Sequence, residues 1–169
     1  PHELKPMFED YVMPYLEQRS RQRIVSRVLK IYGIGESMVE EKVRDLLEKQ
    51  SNPTIAPLVS SGEVTLRLTV KCEKDEDPWP LIQPLEDEIR KRLGDTVYGV
   101  DNDTLESVVV ELLRSNNKTL AIAESCTGGL IANRITNVPG ASQVFIEGFI
   151  TYSNESKVKR LGVSEETLN

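Results

Sequence analysis

The stretch Thr119-Leu120-Ala121-Ile122-Ala123-Glu124-Ser125-Cys126-Thr127-Gly128-Gly129, running into Leu130–Thr136, decides how this chain is read. Residues 119–123 form a short apolar run and predict a buried strand, while Leu130–Thr136 has the spacing of an amphipathic helix. Between them, residues 124–129 are a turn of small polar residues. A strand, a glycine turn and a helix in that order place side chains at the carboxyl end of a strand, where α/β folds put ligands. The first N–H groups of the helix then point at whatever binds, and the glycines let a ligand approach the backbone. The run is neither G-x-G-x-x-G nor a P-loop, since no Gly-Lys-Ser/Thr follows. A plain tight turn is the competing reading.

Three nucleophile candidates stand side by side: Ser125, Cys126 and Thr127. Cys126 is intrinsically the strongest, but a reactive thiol needs a partner that lowers its pKa, and a small buried hydrophobe is its ordinary role. Ser125 needs a base. The single histidine, His2, sits at a terminus expected to be poorly ordered, so a Ser-His-Asp or Cys-His arrangement inside this chain has nothing else to draw on. Lysine and tyrosine remain, and a lysine desolvated in a pocket serves as a base near neutral pH. Gly148-Phe149-Ile150-Thr151-Tyr152 predicts a second strand, and Ser153-Asn154 caps a short helix over residues 155–161, ended by Gly162. If the two strands are neighbours in one sheet, their carboxyl ends bring Ser125, Tyr152 and Lys157 together. A surface lysine and a half-buried tyrosine are the alternative.

Upstream the pattern changes. Residues 3–18 have apolar positions at Leu4, Met7, Phe8, Tyr11, Val12 and Tyr15, which suits a helix kinked or broken before Pro14. Residues 24–32 predict a strand. Ser37-Met38-Val39-Glu40 reads as a capping box opening a helix that buries Val39, Val43, Leu46 and Leu47. Asn52-Pro53 breaks that helix, residues 54–59 are a short strand, and Ser60-Ser61-Gly62 is a turn. The clearest strand of the chain follows, with Val64, Leu66, Leu68, Val70 and Cys72 alternating with Thr65, Arg67, Thr69 and Lys71. An acidic loop leads through Pro78-Trp79-Pro80 into a helix with Leu81, Leu85, Ile89 and Leu93 on one side, stopped by Gly94; residues 96–98 are a last strand. The order β-α-β-β-α-β over about residues 22–100 is the split βαβ motif of a small α+β domain. Residues 99–101 read as a hinge. Asp103-Thr104-Leu105-Glu106 then caps a helix with Leu105, Val108, Val109, Leu112 and Leu113 on its core face.

Composition excludes several classes. The 169 residues carry 21 Lys and Arg against 27 Asp and Glu, a formal net charge of −6, so no excess of positive charge is available to grip a phosphate backbone. No apolar run approaches the roughly 18–20 residues of a membrane span, and the first residues lack the order of a signal peptide. A soluble, cytoplasmic protein is expected. Cys72 and Cys126 are too few for a disulfide framework and lack C-x-x-C spacing, which leaves reduced thiols and no structural zinc. The chain starts at Pro1 without Met and stops just after Ser164-Glu165-Glu166 has opened a helix, as a fragment of a longer protein would.

Taken together, Leu120-Ala121-Ile122-Ala123-Glu124-Ser125-Cys126-Thr127-Gly128-Gly129-Leu130-Ile131-Ala132, Val138-Pro139-Gly140-Ala141-Ser142, Phe145, Gly148-Phe149-Ile150-Thr151-Tyr152-Ser153-Asn154-Glu155-Ser156-Lys157 and Leu161-Gly162-Val163 closely resemble the opening of the CinA carboxyl-terminal domain. Lys5-Pro6-Met7-Phe8, Tyr32-Gly33-Ile34-Gly35-Glu36-Ser37 and the β-α-β-β-α-β order resemble the end of that family's molybdopterin-binding-like domain and then its KH-type middle domain. The resemblance implies three segments: residues 1–20 as the tail of the first domain, 21–100 as the KH-type domain, and 101–169 as the first part of a three-layer α/β/α domain. Two clear strands in that last segment are too few for the whole sheet. It further implies a nicotinamide-nucleotide amidase, which hydrolyses the carboxamide of nicotinamide mononucleotide to nicotinate mononucleotide and ammonia, in pyridine nucleotide salvage. The family's serine nucleophile carries over to Ser125, and its tyrosine and lysine to Tyr152 and Lys157. Thr127, Gly128 and Gly129 would then offer backbone N–H groups to the oxyanion, and Asn154 would orient the lysine or the substrate amide. No metal and no cofactor are implied. The family's pyrophosphatase activity belongs to an amino-terminal domain that these residues do not include, and a later glycine-rich segment that completes the amidase pocket is also absent, so full catalytic competence is not expected of these 169 residues. A homodimer is compatible with outward residues at strand edges.

The competing class is a binding or dimerisation module. A KH-type fold suggests RNA, and Arg19, Arg21, Arg23 and Arg27 form a basic strip, but KH domains clamp nucleic acid with a Gly-x-x-Gly loop and Gly33-Ile34-Gly35 is one residue short. Residues 1–100 hold 15 Lys and Arg against 18 Asp and Glu, which favours a solvated charged strip over RNA binding.

Overall fold

The computed structural model describes residues 3–60 and 62–168; His2, Ser61 of the expected turn and Asn169 lie outside the described residues. The fold is mixed α/β, as expected, with a four-stranded antiparallel sheet and a two-stranded parallel one. Two compact units divide it, Pro1–Asn102 and Asp103–Asn169.

The first unit begins with helix α1 (Leu4–Met7), a π-helical turn (Phe8–Val12) and helix α2 (Met13–Arg19). The expected irregularity before Pro14 is this wider turn: the Met13 N–H reaches back five residues to the Phe8 carbonyl. Strand β1 (Gln22–Ile31) follows, then helix α3 (Glu36–Glu48), strands β2 (Thr54–Ser60) and β3 (Glu63–Glu73), helix α4 (Trp79–Leu93) and strand β4 (Val97–Val100). The sheet order β2-β3-β1-β4 sets β1 between β3 and β4, with Val25 opposite Val70, Leu29 opposite Leu66 and Ile31 opposite Val64. Strict alternation buries Val64, Leu66, Leu68, Val70 and Cys72 on one face of β3, as the two-residue period demands. Pro57, which has no N–H for a ladder, sits in β2 at the sheet edge.

Two helices cover that apolar face. From α3, Val39 and Val43 are fully buried and Leu46 and Leu47 pack against them; from α4, Ile82, Ile89 and Leu93 do the same. Ser37 does not cap α3: Gly35 does, in an extended conformation whose carbonyl accepts from the Met38 and Val39 N–H groups, which places Ser37 inside the first turn. The buried stripe of α4 is rotated, because Glu86 lies in it while Leu81 and Leu85 stay partly exposed. Of residues 99–101, expected as a hinge, Gly99 is paired with Lys30 inside β4 and the Asp101 carboxylate is bound by the Arg27 guanidinium and the Val28 N–H; the first unit runs on to Asn102.

Glu86 is tolerated at 6% exposure because cations surround it: Arg27 Nε lies 3.3 Å and Arg90 Nε 2.8 Å from its oxygens. Arg27 also stacks over Trp79, 4.5 Å from the ring centroid. A second arginine, Arg92, pairs with Asp45 and Glu88 and so ties α4 to α3.

The second unit opens with helix α5 (Leu105–Ser115), capped at Thr104, whose hydroxyl accepts from the Ser107 N–H while Ser107 reaches back to the Thr104 N–H. The capping box is therefore Thr104 with Ser107, not the expected frame ending at Glu106; Glu106 instead pairs with Arg134. Val110 is buried on α5, whereas Val109 and Leu112 from the expected core face are exposed. Strand β5 (Leu120–Glu124), helix α6 (Leu130–Thr136), strand β6 (Phe145–Ile150), helix α7 (Asn154–Leu161) and helix α8 (Glu165–Leu168) complete the unit. Its core gathers Val110, Ile135, Ala141 and Val144, with Leu113, Leu120, Ile122, Val138 and Phe145 against them. Strand β6 starts and ends earlier than the sequence reading places it, so Thr151 and Tyr152 lie beyond its end.

Candidate active site

β5 and β6 are parallel neighbours, with Ile122 opposite Gly148 and Glu124 opposite Ile150. That pairing is the condition under which the sequence reading joins its residues. Ser125 immediately follows the last residue of β5, and Tyr152 lies two residues past the end of β6. Both stand at the carboxyl edge of the same small sheet.

Helix α7 turns Lys157 toward this edge. Ser153 caps the helix by accepting from the Ser156 N–H, and Gly162 ends it in a left-handed conformation at φ +67°. Lys157 Nζ donates to the Tyr152 carbonyl at 3.2 Å and to Asn154 Oδ1 at 3.5 Å. Tyr152, Asn154 and Lys157 thus form one local group, with Tyr152 largely exposed and Lys157 half-buried. Ser125 is half-buried, and among the described residues no hydrogen bond joins its hydroxyl to Tyr152 or Lys157.

The glycine turn is not an empty cradle. The Gly128 N–H donates to the Ser125 carbonyl at 3.0 Å. The Gly129, Ile131 and Ala132 N–H groups donate to the Glu124 carboxylate at 3.2, 3.1 and 2.9 Å. Two of the three amides expected to face an oxyanion, those of Gly128 and Gly129, are therefore engaged inside the turn. The Thr127 amide donates to no described residue. Gly129 has φ +96°, a left-handed conformation that favours glycine, and a Cβ there would stand 2.9 Å from Ile150 Cδ1.

Glu124 is the residue the sequence reading missed. It was legible only as part of a polar turn, yet it is the last residue of β5 and is 4% exposed. The available signal was a carboxylate at the end of an apolar strand, just ahead of the free N–H groups of a helix. Burial pushes its carboxyl up, but hydrogen bonds from the Ala132 N–H, the Thr127 hydroxyl and the Ile131 and Gly129 N–H groups outweigh that and hold it below the ordinary glutamate value. Thr151 is the other buried polar residue at this edge. Its N–H donates to the Glu124 carbonyl at 2.8 Å, and its hydroxyl lies 3.5 Å from the same oxygen.

Cys126 is an exposed free thiol and Cys72 a buried one. Among the described residues no group of three or more His, Cys, Asp or Glu side chains could hold a metal ion, and no helix is long and apolar enough to cross a membrane.

Comparison with known proteins places two family descriptions on the chain. Residues 26–99 match the "Damage-inducible protein CinA KH domain", and residues 102–169 match the "CinA C-terminal domain". A CinA-like protein from Kosmotoga olearia is 51% identical over 169 residues, all of this chain and 41% of that protein. The chain spans about two fifths of the length of the curated relatives it matches. Among solved structures, the competence/damage inducible protein CihA from Agrobacterium tumefaciens is 42% identical where 38% of this chain and 39% of that chain align, with a TM-score of 0.37. A CinA superfamily protein from Escherichia coli is 33% identical over 38% of this chain and 37% of that chain, also at a TM-score of 0.37.

Proposed function

The chain belongs to the CinA family, and from that premise we propose that residues 103–169 carry the nucleophile-bearing part of a nicotinamide-nucleotide amidase. The observation that supports this reading most is the parallel pairing of β5 with β6, which sets Ser125 and Tyr152 just past neighbouring strand ends with Lys157 folded back onto the Tyr152 carbonyl.

In this reading Ser125 Oγ attacks the carboxamide carbon of nicotinamide mononucleotide. Its proton passes to the Lys157 amine, directly or through Tyr152, and the carbonyl oxygen becomes an oxyanion. Collapse of the tetrahedral species breaks the C–N bond and returns the proton to the departing ammonia. Water then hydrolyses the acyl-serine to nicotinate mononucleotide. A fixed donor at the oxyanion lowers the barrier by about 3–4 kcal/mol in comparable acyl transfers, and the Thr127 amide is the member of the expected trio that remains free to serve. Asn154, beside Lys157, orients the ammonium or the substrate amide.

The test is ammonia release from nicotinamide mononucleotide by the full-length natural protein that carries these residues. Activity in the wild type, loss of about 10³-fold or more in Ser125→Ala and retention in Cys126→Ala are expected for a serine nucleophile. Loss in Cys126→Ala with activity kept in Ser125→Ala would make this a thiol enzyme, and silence of a folded wild type would sink the amidase reading.

A further inference from the structure

We propose that Glu124 is a positioning residue that holds Ser125 and Tyr152 in one frame through its link to Thr151, an inference that rests on the amidase reading above. Ser125 follows Glu124 in the chain, and Tyr152 follows Thr151. The residue preceding the nucleophile is thus bonded to the residue preceding the tyrosine: the Thr151 N–H donates to the Glu124 carbonyl at 2.8 Å. On its other side Glu124 is anchored by its carboxylate, whose two oxygens accept from Gly129, Ile131 and Ala132. Helix α6, the nucleophile turn and the end of β6 are therefore all bonded to one residue.

Burial gives the arrangement its stiffness. Glu124 and Thr151 are 4% and 2% exposed, so water does not compete for these bonds. A carboxylate is acceptor-only, with about four lone-pair sites, and takes the Gly129, Ile131 and Ala132 N–H groups together. A glutamine in its place has one acceptor oxygen, and its NH2 would face N–H groups that also donate. Glu124→Gln should therefore loosen the turn with almost no change in shape or volume.

The experiment compares the wild type and Glu124→Gln, both as the full-length natural protein, in two measurements. Hydrogen–deuterium exchange is expected to quicken about tenfold across residues 125–132 and 151–153 while β1 and β3 keep their protection. In ammonia release from nicotinamide mononucleotide, kcat is expected to fall about 100-fold with KM within about threefold, because a displaced nucleophile harms the transition state more than the bound substrate. Glu124→Asp keeps the charge on a shorter arm; an intermediate kcat is expected, and this variant carries the test if the glutamine variant does not fold. Unchanged exchange at the turn overturns the positioning role, and so does quickened exchange with a wild-type kcat. A wild type that releases no ammonia overturns the amidase reading instead, and exchange alone then decides whether Glu124 holds the turn.

Discussion

Gly129 shows at the scale of one residue why this turn needs its composition. Its φ of +96° lies where a Cβ crowds the following carbonyl, a cost of about 1–2 kcal/mol for an ordinary residue. The added Cβ would also stand 2.9 Å from Ile150 Cδ1, but that atom ends an exposed side chain that can rotate away. Gly129→Ala is therefore expected to destabilise the second unit by about 1–2 kcal/mol, through the backbone rather than the contact, and denaturant unfolding would measure it. Seen in sequence, the glycines of this turn suggested room for a ligand. Their amides instead serve the fold: Gly128 closes the turn on Ser125, and Gly129 joins α6 in holding Glu124. Which polar group occupies a set of N–H donors depends on side-chain direction in three dimensions, and residue types alone do not contain that.

At the scale of elements, β3 and α4 mark how far pattern reading reaches. The alternation of β3 was legible because a half-buried strand has a period of two and the apolar set falls on one face. The apolar pattern puts the face of α4 one position off, because Glu86 interrupts the stripe and only its partners make it a core residue. Arg27 reaches Glu86 from β1 and also binds Asp101 beyond β4, so it braces the helix against two distant points of the chain. Removing one partner of a buried pair costs about 3–5 kcal/mol. Arg27→Met is expected to fall at the lower end of that range, since Arg90 continues to pair with Glu86, and a drop in the unfolding midpoint would measure it. Bonds from the Arg27 guanidinium and the Val28 N–H to the Asp101 carboxylate hold the residue just past β4 against β1, at the end of a segment that in sequence looks like a hinge.

At the scale of the whole molecule, acid tests both units from one side. Asp45 in the first unit is held below the ordinary aspartate value chiefly by its hydrogen bond from Arg92, and Glu106 in the second by its hydrogen bond from Arg134. Glu124 is also depressed, against its burial. A carboxyl with a lowered folded pKa binds fewer protons folded than unfolded, so its stabilising contribution is complete above the unfolded value and disappears as pH falls through the folded one. Stability is expected to be flat from neutral pH down to about 4.5 and to decline below about 4, followed by circular dichroism in a pH titration. A decline that began near pH 6 would show that other groups govern acid unfolding. What the sequence determined by itself was local: the periods of the strands and helices, the caps at Ser153 and Gly162, and the strand, glycine turn and helix around Ser125, because each of these depends on residues a few positions apart. What the tertiary structure decided was every pairing across long separations. These include the parallel register that ends β5 and β6 side by side, just ahead of Ser125 and Tyr152, the engagement of the turn's amides by Glu124, and the burial of Glu86 between two arginines. Such pairings depend on which distant groups meet in space, and that is settled only when the chain packs.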